Sequence, residues 1–171
     1  APVLMDYAAN GRVDSRNGNR CDHAAPHVAY RCQGDDRWCA IAVFTDDQWR
    51  AFCRAIGDPQ WCREERFATL QGRKENDDDL ERLVEGWTST RTAEQVMETL
   101  QAAGVPAGVV QNARDVLEGD PHLKERGYYV YLDHPEAGRT AYDSAGFQWR
   151  QAVPPEASGV AVGGSVYLAC Q

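Results

Sequence analysis

Several groups of side chains in this 171-residue sequence could do chemistry. Cys21, His23, His27 and Cys32 form a C-x-H-xxx-H-xxxx-C string, and all are zinc ligand types that a compact loop could gather. Its spacing matches no standard finger, and no metal site is expected. Asp35–Asp36 and Asp46–Asp47 offer carboxylate pairs for acid–base work, but a turn and a helix start account for both. In Arg16-Asn17-Gly18-Asn19-Arg20, Gly18 allows close backbone approach and two guanidinium groups could meet a phosphate. The same string also reads as a solvent-exposed turn. His134 precedes Pro135 and reads as a turn residue, with no visible partner for a base role. None of these groups supplies a catalytic residue.

The elements that would position them follow from pattern. A short N-terminal helical piece and an Asn/Gly/Arg-rich loop fill residues 1–22. Tyr30–Cys32 and Trp38–Phe44 read as strands joined by Gln33-Gly34-Asp35-Asp36, a hairpin signal. Thr45-Asp46-Asp47-Gln48 reads as a capping box before a helix whose buried stripe is Trp49, Phe52, Cys53 and Ile56, with Gly57 ending it. Asp58-Pro59 opens a helical turn with Pro in the first helical position. Asn76 should cap a helix buried through Leu80, Leu83, Val84 and Trp87, its Asp77–Asp79 run a solvated start suited to the helix dipole. Thr92-Ala93-Glu94-Gln95 is a second capping box, for a helix ending at Gly104.

Val105–Val110 reads as a short buried strand, Asn112 as the cap of a further turn, and Asp120-Pro121 as the start of another. Tyr128–Asp133 and Arg139–Asp143 form a last hairpin across Pro135–Gly138. Strands at both ends with helices between predict an α+β fold: a small, mainly antiparallel sheet flanked by several helices over residues 23–149. Residues 150–171 read as a divergent, loosely ordered tail. The tryptophans (38, 49, 61, 87 and 149) read mostly as core.

Hydrophobic residues make up 43% of the chain, a normal globular share. The net charge of −8 disfavours nucleic acid and anionic lipid as partners. No apolar run is long enough to span a membrane, and the N-terminus shows no secretory signal. The six cysteines are irregularly spaced and read mainly as small buried hydrophobes of a cytoplasmic protein rather than a disulfide framework.

Three collinear stretches carry a family resemblance. The first runs Asn17–Arg20, Ala25-Pro26-His27, Tyr30–Cys32, Gly34–Asp36 and Trp38. The second is Ile41–Trp49, continuing to Phe67 and Gly72-Arg73. The third is Gly104–Val110, then Asp120–Leu123 and Arg126-Gly127. Across roughly residues 1–150 the chain resembles the C-terminal, small-domain region of the CaiB/BaiF (class III) CoA-transferases. The resemblance accounts for Pro26-His27 without a metal. It implies chemistry in which an aspartate attacks a CoA thioester and splits one difficult step into two, but that aspartate lies in a segment preceding the matched region. It also implies a glycine-rich loop over the active site, for which Arg16, Asn17, Gly18, Asn19 and Arg20 are the nearest positions, though poorer in glycine. After Gly146–Trp149 the pattern departs from the family.

The expectation is therefore a truncated CoA-transferase family III-like domain, not catalytic alone, with a lid or CoA/acyl-CoA role in a split enzyme. Coenzyme A is the implied ligand, with no other cofactor. The alternatives are a stand-alone small-molecule binding module and an oligomerisation module. A homodimer is the expected partner state, with a separate large-domain chain supplying the catalytic half of a split enzyme.

Overall fold

Thr45 begins the first core helix: its hydroxyl accepts the Gln48 N–H, while the Gln48 side chain takes the Phe44 N–H at 2.8 Å. The N-cap half of the expected capping box is present, but the return bond goes to Phe44 instead of the Thr45 amide, so the reciprocal box is not formed. The computed structural model describes residues 2–144, so Trp149, Cys170 and the expected tail lie outside the described residues. The chain divides into two compact units, Ala1–Asn112 and Ala113–Gln171.

In the first unit, α1 (Pro2–Asn10) precedes the exposed loop 11–19, and β1 (His27–Arg31) and β2 (Trp38–Ala42) form the expected hairpin. α2 (Asp46–Ala55), two 3-10 turns at Gln60–Arg63 and Glu65–Phe67, α3 (Leu70–Glu75), α4 (Asp77–Thr88) and α5 (Ala93–Ala102) follow, then β3 (Ala107–Val110). The three strands make one antiparallel sheet in sequence order, with Arg31 opposite Trp38 and Trp38 opposite Val110. Tyr30, Cys39 and Ile41 point to the core face and meet Trp49, Phe52, Phe67, Leu80, Val84, Val96 and Leu100 from the helices. Full burial of each such apolar side chain contributes about 1.5–3 kcal/mol.

Some local expectations shift. β3 is a half-buried strand whose Val110 is 43% exposed, because among the described residues only β2 pairs with it. Pro59 precedes its 3-10 turn as the N-cap instead of entering it, its ψ of 155° being extended. Asn76 stands at the N-cap of α4, but its amide donates to Gly72 O, closing α3 instead. Thr92 and Gln95 form the full reciprocal capping box.

In the second unit a π turn (Asp115–Gly119) leads to α6 (Pro121–Glu125), capped by Asp120 through the Leu123 N–H. β4 (Tyr129–His134) and β5 (Gly138–Asp143) form an antiparallel hairpin, a sheet of its own. The fold is α+β, with small antiparallel sheets.

Candidate functional site

The loop ahead of β1 is exposed from Gly11 to Asn19 and anchored at its end. Arg20 donates from Nε and Nη2 to the two oxygens of Glu81 at 2.7 and 2.8 Å, and Nη2 also reaches Asp78 at 2.5 Å. Hydrogen bonding to Glu81 first, then to Asp78, pushes the Arg20 pKa still higher. A planar guanidinium suits such a two-toothed grip. One residue earlier, Asn19 O lies 2.6 Å from His27 Nδ1 on β1. These contacts tie the expected lid segment to α4 and to the sheet.

Within that segment, Arg16, Asn17 and Gly18 are exposed, with Gly18 at φ +59° in a turn closed by Arg20 N–H to Asn17 O. Arg20 is committed to α4. Asn19 alone of residues 16–20 lines a groove of about 540 Å³ on the outer sheet face, with Ala29, Asp36, Trp38 and Val110. Trp38 donates from Nε1 to Asp36 at 2.9 Å, and the Arg31 guanidinium lies 5.3 Å from its ring centroid. The groove is open, and its lining combines Ala29 and Val110 with an indole and with amide and carboxylate groups.

The other sequence candidates have structural employment. His23 and His27 pack their rings against Phe44, and the Cys32 thiol donates to Tyr30 O. Among the described residues no cluster of three or more His, Cys, Asp or Glu side chains could hold a metal. Asp36 serves the hairpin turn at φ +48°. Asp46 receives Arg73, and Asp47 pairs with Arg50. His134 Nδ1 accepts the Glu136 and Ala137 N–H groups across the turn. Cys21, Cys32, Cys39, Cys53 and Cys62 are free thiols. Burial pushes Cys39 up to about 12, while hydrogen bonding with Cys53, then burial, raises Cys62.

Sequence reasoning missed the group that sets the entry to β1. Arg73 is fully buried on α3, and its guanidinium donates to Ala25 O at 2.9 Å, Phe67 O at 3.1 Å and Asp46 Oδ1 at 3.0 Å. It also lies over the Trp49 ring, 5.0 Å from its centroid. Burial lowers its pKa, opposed by Asp46. The preceding residue, Gly72, fits because a Cβ there would stand 2.4 Å from Arg66 O. The adjacent pair Gly72-Arg73 was the available signal.

The profile of CoA-transferase family III matches residues 1–158. A probable CoA-transferase of Mycobacterium tuberculosis is 42% identical over 113 residues, covering 66% of this chain and 14% of the relative. A succinyl-CoA–D-citramalate CoA-transferase of Chloroflexus aurantiacus is 31% identical over 136 residues, 80% of this chain and 33% of the relative. The crystal structure of a CaiB/BaiF family protein from Brucella suis superposes with a TM-score of 0.68 at 26% identity, over 84% of this chain and 40% of that one. The chain belongs to CoA-transferase family III. It spans a third or less of the length of these curated relatives.

Proposed function

We propose that this domain works as the small, non-catalytic part of a CoA-transferase that moves CoA between carboxylic acids, with its 16–20 loop closing over a bound thioester. The observation that carries the reading is partial coverage: a well-formed family domain matches a third or less of each curated relative cited above. The nucleophilic aspartate then comes from a further segment, in the same polypeptide or in a partner chain. Three carboxylates close to the loop or groove are already held by partners, Glu81 and Asp78 by Arg20 and Asp36 by Trp38.

Succinyl-CoA and formyl-CoA are donors in relatives' names, so short acyl-CoA thioesters are the substrate class proposed here. The apolar side chains Val3, Leu4, Met5 and Tyr7 of α1 are exposed, which favours self-association into a homodimer. The proposed setting is the cytoplasm, with neither nucleic acid nor membrane as partner.

The test is a thermal-shift titration of the chain with CoA and acetyl-CoA. A ligand touching the loop and groove raises stability by mass action, about 2.7 kcal/mol at a hundredfold excess over Kd. No stabilisation at millimolar ligand would remove CoA contact from the reading. A second reading, a stand-alone acyl-CoA binder, is favoured by the Asn19–Trp38 groove lying within this chain. It requires the same stabilisation and a phenotype independent of any catalytic half.

A further inference from the structure

Four of the described cysteines are buried in the core of the first unit, and they fall into two kinds. The Cys32 thiol donates to Tyr30 O and the Cys39 thiol to Ala40 O, so each has a carbonyl acceptor of its own. The Cys53 and Cys62 thiols instead hydrogen-bond with each other. Cys53 is on the last turn of α2, and Cys62 is in the Gln60–Arg63 3-10 turn.

The backbone holds these two segments together. Asp58 N–H donates to Cys53 O at 2.7 Å, and the chain turns at Gly57 and Asp58 with φ of +92° and +51°. Cys62 N–H donates to Pro59 O at 3.0 Å, closing the 3-10 turn. On the same flank Trp49, one helical turn before Cys53, meets Trp61, the neighbour of Cys62, with ring centroids 6.3 Å apart. Thiols in hydrogen-bond contact on two fixed segments point toward one another, as a disulfide formed without large backbone movement requires.

We propose that Cys53 and Cys62 are a redox pair that closes to an intrachain disulfide when hydrogen peroxide reaches them. One thiolate attacks the O–O bond and becomes a sulfenic acid, and the hydroxide released takes up the proton that the thiol lost. The second thiol then displaces the sulfenic oxygen, which leaves as another water. The peroxide gains two electrons, and the two thiols lose them to form one S–S bond. The hydrogen bond with Cys53, then burial, keeps Cys62 protonated, so oxidation proceeds through local opening of the turn. The closed form ties α2 to the segment leading to Phe67 and Arg73. This inference does not rest on the CoA-transferase reading, and its failure would leave that reading untouched.

The experiment exposes the full chain to millimolar hydrogen peroxide, blocks the remaining thiols with N-ethylmaleimide in denaturant, and maps the peptides. The expected result is a Cys53–Cys62 linked peptide from protein of monomer mass on a non-reducing gel, removed by dithiothreitol. The linked form should melt roughly 5–10 °C higher, the stabilisation expected from closing a loop of about ten residues. Cys53→Ala and Cys62→Ala should each abolish the link and the shift, whereas Cys32→Ala should keep both. The mapping of the unaltered chain decides the matter even where a variant fails to fold. Absence of the Cys53–Cys62 peptide, linkage of either residue to another cysteine instead, or a linked form melting no higher than the reduced one would each overturn the proposal.

Discussion

Replacing Arg73 by methionine tests the account of the loop entry most sharply. The change removes three donors and leaves Ala25 O and Phe67 O without their guanidinium partner. Each unsatisfied buried carbonyl costs roughly 1–3 kcal/mol. The Asp46 ion pair adds under about 1 kcal/mol, because that side chain is 48% exposed and its carboxylate rehydrates. Methionine keeps most of the buried stem, so the packing change is small. The expected loss is about 4 kcal/mol, or roughly 10–15 °C in Tm for a chain of this length. Urea unfolding followed by tryptophan fluorescence would measure it, since Trp49 lies directly beneath the guanidinium. Asp46→Asn should cost about 1 kcal/mol or less. Arg73→Lys should lose most of the stability despite keeping the charge, since a compact ammonium does not span three separated acceptors. A loss under about 1 kcal/mol in R73M, or an Asp46→Asn effect as large as R73M, would refute the ranking of carbonyl bonds above the ion pair.

Further outcomes follow from the same contacts. Glu81→Gln combined with Asp78→Asn should speed amide exchange across residues 11–20 while costing only about 1 kcal/mol globally, because the pair is partly exposed; unchanged exchange would deny Arg20 its anchoring role. Glu94 and Asp79 both titrate below their ordinary values, Glu94 through its own backbone N–H and then Arg37, and Asp79 through Arg66 first. Depressed folded values mean the stabilisation is complete above the unfolded range near pH 4–5 and disappears as pH falls through the folded values. The urea midpoint should therefore fall below about pH 5, and less steeply in Glu94→Gln. Alkylation of the native protein near pH 8 should label Cys21 while sparing Cys32 and Cys39, whose pKa values burial raises; peptide mapping that finds Cys39 labelled first would contradict its burial.

Elements with local punctuation were legible in the sequence. The Thr92–Gln95 box, the Gly34–Asp36 turn and Asp120-Pro121 each carry their instructions within four residues, so helix starts and both hairpins follow from the chain alone. Long-range partners were not legible. Arg73 lies in a six-residue helix and looks like surface charge, and only the tertiary approach of Ala25, Phe67 and Asp46 makes it a buried hub. Arg20 likewise reads as a free loop cation until α4 brings Glu81 and Asp78 to it, 61 and 58 residues away. The apolar run Val105–Val110 suggested a buried strand, while its half-buried state depends on which strand takes it as a partner. Of the loop expected to meet ligand, the groove takes Asn19, a residue with no sequence mark separating it from Asn17.

The central claim, a CoA-transferase family domain that brings no nucleophile of its own, is tested most directly by incubating the purified chain with succinyl-CoA and a dicarboxylate acceptor. CoA-ester exchange and intact protein mass would be followed together. The account predicts no exchange above the buffer blank and no acyl or CoA adduct on the protein. Exchange accompanied by a hydroxylamine-sensitive adduct on an aspartate or glutamate of this chain would contradict it.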